Sequence, residues 1–118
     1  MQLTMFKSKI HRATVTEANL DYEGSVSICP DLMDYANILP FEQVHLWDIT
    51  NGNRLITYAL KGKEKQICVN GAGAKLIDVG DLIIIATFAE MSTDQAKDYD
   101  PKVVSVNEFN VLSSVKYG

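Results

Sequence analysis

The sequence predicts a mainly β protein, a small β-barrel with a few short helices. Three observations carry this expectation: short runs rich in β-branched residues, turn signals at close intervals between them, and little helical punctuation. At 118 residues, 47% of them apolar, the chain suits a single domain with its own core.

Residues 9–16 read as the first strand, with β-branched Ile10, Thr14 and Val15. Residues 30–36 read as a short helix: Pro30 suits a first turn, and Asp31 and Asp34 complement the positive end of the helix dipole. Residues 44–49 alternate, with Val44 and Leu46 on one face and His45, Trp47 and Ile49 on the other. Thr50-Asn51-Gly52-Asn53 then reads as a hairpin turn of type I′, because Asn-Gly tolerates the positive φ angles required. The return strand, residues 54–60, puts Arg54, Ile56 and Tyr58 on one face and Leu55, Thr57 and Ala59 on the other.

A turn at Lys61-Gly62-Lys63 leads to a strand over residues 66–69, followed by the small-residue loop Asn70-Gly71-Ala72-Gly73-Ala74. Gly80-Asp81 marks a turn before a buried strand over residues 82–88. Ser92 or Thr93 is placed to cap a short helix ending before Pro101. Residues 102–106 and 111–115 read as final strands, paired through a turn over residues 107–110. No repeat, linker or low-complexity segment interrupts the series.

A net charge of −4 argues against nucleic acid as the main partner. Lys7, Lys9, His11 and Arg12 nevertheless form a local basic cluster suited to a small anionic metabolite. Cys29 and Cys68 have neither CxxC spacing nor an accompanying histidine pattern, so no metal site is expected; both read as reduced, buried thiols of a cytoplasmic protein. The N-terminus lacks the apolar core of a signal peptide, and the apolar run over residues 82–89 is too short to span a bilayer. A membrane is therefore not an expected partner.

The candidate chemistry centres on Gly24-Ser25. A serine hydroxyl can attack the preceding carbonyl and convert the peptide bond to an ester. Elimination then leaves dehydroalanine, which hydrolyses to a pyruvoyl group and ammonia. Glycine at the attacked position helps by lacking a side chain and accepting unusual backbone geometry. Arg54 and Lys9 are candidate anion binders, the first as a planar fork and the second as a point charge. Tyr58 is a candidate proton donor, since a phenol is protonated at neutral pH. Thr57 is a candidate donor to a developing oxyanion.

The loop after Val69 lets a ligand approach the backbone closely, but it lacks the spacing of a nucleotide site. His11 shares a strand face with Lys9 and takes a supporting role, whereas Trp47 reads as a packing residue. Taken singly, each has a plainer reading: a turn serine, a solvated cation, a packed aromatic, a strand threonine.

Taken together, Lys9-Ile10-His11-Arg12, Tyr22-Glu23-Gly24-Ser25, Trp47 with Thr50-Asn51-Gly52, Arg54 with Thr57-Tyr58, Val69-Asn70-Gly71-Ala72 and Val79-Gly80-Asp81 resemble the pyruvoyl-dependent aspartate decarboxylase family. The resemblance spans about residues 1–100. It implies a double-psi β-barrel and a homotetramer with active sites shared between subunits. It implies a zymogen cut between Gly24 and Ser25 into a β chain (residues 1–24) and an α chain (residues 25–118) that begins with a pyruvoyl group. By the same resemblance the pyruvoyl carbonyl takes L-aspartate as a Schiff base, CO2 is lost, and Tyr58 protonates the resulting carbon, giving β-alanine for pantothenate. Lys9 and Arg54 would bind carboxylates. Thr57 and the Gly71, Ala72 and Gly73 backbone would contact substrate, and Asn70 would assist near the cut.

Gly73 stands where the family usually has alanine, and the segment after Tyr99 diverges, so the tail receives no assigned function. Two other readings stay open on sequence grounds: a non-catalytic metabolite-binding barrel, and a pyruvoyl decarboxylase for another amino acid.

Overall fold

The computed structural model describes residues 1–118 as a continuous chain. Its strands are β1 (Gln2–Thr14), β2 (Glu17–Asn19), β3 (Ser25–Ile28), β4 (Gln43–Asp48), β5 (Arg54–Lys61), β6 (Ile67–Asn70), β7 (Leu82–Ser92), β8 (Lys102–Val106) and β9 (Leu112–Tyr117). Helix α1 (Pro30–Ala36) follows β3, a 3₁₀ turn (Gly71–Lys75) follows β6, and α2 (Thr93–Lys97) follows β7. All nine strands join one sheet in the order β2-β6-β3-β5-β4-β7-β1-β8-β9.

The sheet curls because its two ends share one core. Ile67 on β6 and Val104 on β8 stand far apart in strand order, yet both are fully buried in one cluster with Ile10, Val26, Leu46 and Ile85. A flat sheet would keep them separate; right-handed twist and bulges bring them together. One bulge lies in β1 between Ile10 and Ala13, where Arg12 takes φ 67°. The fold is thus mainly β and barrel-like, as expected from the sequence.

Local chemistry explains the helices. Pro30 occupies the first turn of α1, and Asn37 closes it in the left-handed conformation at φ 56°. Asp31 lies in that first turn, but Asp34 lies beyond it and instead supplies a carbonyl to the closing N–H of Asn37. In α2, Ser92 Oγ accepts from the Gln95 N–H while the Gln95 side chain accepts from the Ser92 N–H, a reciprocal cap.

Several expectations need correction. β1 begins at Gln2 rather than residue 9, because its first residues pair with an equally extended β7, from Gln2 with Ser92 to Phe6 with Phe88. β9 starts one residue later than expected and runs to Tyr117. Neither β2 nor β3 was expected. The β4–β5 connection is not a two-residue type I′ turn, since only Gly52 has positive φ there (81°). The Asp48 carboxylate sets the shape instead: its Oδ1 accepts the N–H groups of Thr50 and Asn51 at 2.8 and 3.2 Å, so the chain makes a wider turn.

That turn is docked on the segment before β7. Asn51 and Asn53 donate side-chain N–H groups to the Leu76 carbonyl, and Leu82 N–H donates to Thr50 Oγ1. Asp48 is 3% exposed, and no donor within the chain faces its Oδ2. Burial, and then a hydrogen bond with Asp81, push the Asp48 carboxyl up to about 6. Below that pH the Asp48 carboxyl holds a proton that it can share with Asp81.

Candidate active site

Ser25 opens β3, directly opposite Asn70 at the end of β6, and Ser27 stands opposite Cys68. Alternation therefore puts Ser25, Ser27, Cys68 and Asn70 on one side of a two-strand ladder. Ser25 is 2% exposed and Asn70 5%. The Asn70 side-chain amide donates to Ser25 Oγ at 2.9 Å and to Ser27 Oγ at 3.2 Å. Ser25 Oγ in turn donates to the Glu23 carbonyl at 3.3 Å, and Cys68 Sγ donates to Asn70 Oδ1 at 3.1 Å. Burial, then the Glu17 carboxylate, push the Cys68 thiol above its ordinary range, which keeps it a hydrogen-bond donor.

The glycine with the strictest geometry here is Gly71. Its φ is +72°, and a Cβ placed on it would lie 2.7 Å from both the Cα and the N of Gly24 and 2.9 Å from the Tyr22 carbonyl oxygen. Gly24 itself lies outside the left-handed region, and a Cβ there would meet nothing within 4 Å. The unusual backbone expected at Gly24 is therefore found at its neighbour across space. Gly71 lets the two chain segments touch.

A cavity of about 250 Å³ opens over this junction, lined among others by Gly24, Ser25, Thr57, Asn70, Ala72 and Gly73. Thr57 reaches it because β5 pairs with β3, Ala59 standing beside Val26. The 3₁₀ turn replaces the open loop expected after Asn70 and presents its small residues to the cavity. Ser27 and Cys68 were missed as site residues. Their signal was the i, i+2 spacing to Ser25 and Asn70, legible only once both segments are known to be strands.

Lys9, His11, Trp47, Arg54 and Tyr58 do not line this cavity. They occupy the outer face of the β1-β7-β4-β5 region. Lys9 and His45 both pair with Ala86, and Trp47 pairs with Arg54, whose guanidinium lies 5.1 Å from the indole ring. Lys9 Nζ sits 5.7 Å over Phe6. The chain's one ion pair joins Lys7 to Glu42 at 2.7 Å, so neither Lys9 nor Arg54 is neutralised by a carboxylate. Tyr58 lies beside Phe41, ring centroids 6.5 Å apart. His11 lies beyond Lys9 on the same half-buried side of β1. Burial, then the charges of Lys9 and Arg12, lower its pKa, and its Nδ1 has no partner.

The family model for aspartate decarboxylase matches residues 1–113. The chain belongs to the aspartate decarboxylase family. Among its relatives is the aspartate 1-decarboxylase of Campylobacter hominis, 51% identical over 110 residues, which covers 93% of this chain and 96% of that one. The aspartate 1-decarboxylase of Legionella pneumophila (strain Paris) is 51% identical over 114 residues, 95% of this chain and 86% of its own length. That of Bdellovibrio bacteriovorus is 49% identical over 113 residues, 96% and 91% respectively. The relationship extends over nearly the whole chain. No helix of the structure is long and apolar enough to cross a membrane.

Proposed function

We propose that the chain is a self-processing, pyruvoyl-dependent L-aspartate α-decarboxylase of the cytoplasm, producing β-alanine and CO2 for pantothenate and coenzyme A synthesis. The observation that carries this reading is Ser25 itself. In a chain of this family, its hydroxyl is buried at a cavity wall, held at 2.9 Å by an amide donor, and follows a glycine whose Cβ position is open space.

In the proposed maturation Ser25 Oγ attacks the Gly24 carbonyl carbon. The Gly24–Ser25 C–N bond breaks, and the hydroxyl proton passes to the freed amine. Thr57 donates to the oxyanion that develops on the way. In the elimination that follows, the Ser25 Cα proton passes to water and the Cβ–Oγ bond breaks. The electron pair leaves on Oγ as the new Gly24 carboxylate, beside the Asn70 N–H groups. Hydrolysis of the dehydroalanine releases ammonia and leaves the pyruvoyl terminus.

That group, once formed, supplies the sink for the electron pair released with CO2. Lys9 and Arg54, unpaired with any carboxylate in the chain, bind the two carboxylates of aspartate. Tyr58 gives its proton to the carbon that lost CO2. The Gly71, Ala72 and Gly73 backbone and Thr57 position the substrate, with His11 and Trp47 in support.

Since Lys9, Arg54 and Tyr58 lie outside the cavity of their own chain, a homotetramer with shared sites would bring one copy's outer face to another copy's Ser25. The exposure of Phe41 (76%) and Ile56 (60%) beside these residues supports such an interface.

Intact-mass measurement tests the reading. Two chains are expected, residues 1–24 and 25–118, the larger lighter by one ammonia than a peptide beginning with serine. Ser25→Ala is expected to remain one chain and to form no β-alanine from aspartate. A Ser25→Ala chain that cuts at the same bond overturns the assignment.

A further inference from the structure

We propose that Cys68 is a positioning residue for maturation: its thiol fixes the Asn70 side-chain amide with the NH2 end toward Ser25 Oγ. The inference rests on the self-cleavage reading above. An asparagine amide can turn end for end in nearly the same space, and its surroundings decide which end faces where. At Asn70 the NH2 end faces two hydroxyls, Ser25 and Ser27, each able to donate or to accept. They do not discriminate between the two orientations. The only partner at the other end is the Cys68 thiol, 3.1 Å from Oδ1. A protonated thiol donates and is a poor acceptor, so it selects the carbonyl end for itself.

The turned orientation would place Oδ1 against Ser25 Oγ. The hydroxyl would then donate to Asn70 instead of to the Glu23 carbonyl. No N–H would face the oxygen on which charge collects during elimination. Buried surroundings sharpen the choice, because Cys68 is 3% exposed and water does not substitute for it. Glu17 stands opposite Cys68 on β2, and its negative charge favours the protonated thiol. Cys68 reaches neither Ser25 nor the cavity wall and acts only through Asn70.

The test follows the cutting of freshly synthesised full chain by intact mass against time, with unfolding midpoints measured alongside. Cys68→Ala is expected to slow cutting by roughly 3–30-fold, the range for losing one weak buried hydrogen bond. Cys68→Val, which fills the space without a donor, is expected to slow it equally. Cys68→Ser, which keeps a donor, is expected to cut faster than both, within about twofold of the wild-type rate. In an Asn70→Ala background, Cys68→Ala is expected to add nothing, since the amide it orients is gone.

Wild-type cutting rates in Cys68→Ala and Cys68→Val overturn the role of Cys68 while leaving self-cleavage intact. Slowing by Cys68→Ser equal to that of Cys68→Val, or full additivity with Asn70→Ala, overturns it in favour of packing. A wild-type chain that stays whole overturns the cleavage reading itself.

Discussion

Asp48→Asn is expected to stabilise the protein at pH 8 and to change little at pH 4.5. The introduced amide would keep an oxygen to accept the Thr50 and Asn51 N–H groups and would offer an N–H to Asp81 in place of the shared proton. Asp48 is raised in the folded state, from 3.8 to about 6, so the sign runs opposite to that of a salt-bridged carboxylate. The folded state holds the proton more tightly, and its advantage is complete below about pH 4. It declines as pH rises through 6 and is gone above that. The gap corresponds to a ceiling of ~3 kcal/mol, and relaxation around the turn brings the expected gain to about 1–2 kcal/mol at pH 8. For a domain of this size that is a rise of roughly 3–10 °C in unfolding midpoint. Thermal melts of both proteins from pH 4.5 to 8, at matched concentration, supply the comparison. A difference that stays constant across that range, or an asparagine variant less stable at pH 8, refutes the shared-proton account.

Gly71→Ala forces a Cβ to within 2.7 Å of Gly24 at a backbone angle that disfavours it. It is expected to cost about 1–3 kcal/mol in thermal unfolding and to slow cutting at least tenfold by displacing the junction. Gly24→Ala, which meets open space, is expected to keep its stability within ~1 kcal/mol. Tyr58→Phe is expected to fold and cut normally but to lose about 10²–10⁴-fold in β-alanine formation, measured in steady state.

Elements with local grammar were legible from sequence. Pro30 at a helix start, a helix cap at Ser92 or Thr93 and the β4–β5 alternation each depend on residues a few positions apart. β3 was not legible, because Gly24-Ser25 carries a strong turn signal and the pairing that overrides it comes from Ala59 and Val69, far along the chain. The same distance hid Cys68 and Ser27 from the site. The Asn51-Gly52 turn shows a nearer failure. The dipeptide correctly marked a reversal, but the buried carboxylate just before it decided the turn's width. The candidate residues themselves were readable one by one. Their division into a serine cavity and an outer cationic face depends on which side of a curled sheet each strand turns outward.

The thirteen-residue β1 sits between β7 and β8, and with Ile10 and Ala13 it threads the core from the part of the chain ahead of Gly24. Under the proposed cut, the short fragment is thus woven into the larger one and stays after its covalent tether is gone. Unfolding then becomes a different event before and after maturation. The uncut chain refolds alone, whereas the cut pair must find each other at a rate set by concentration, and the spent serine is never regenerated. The working lifetime of the mature molecule is consequently governed by how slowly the β1–β7 ribbon lets go, not by its equilibrium stability.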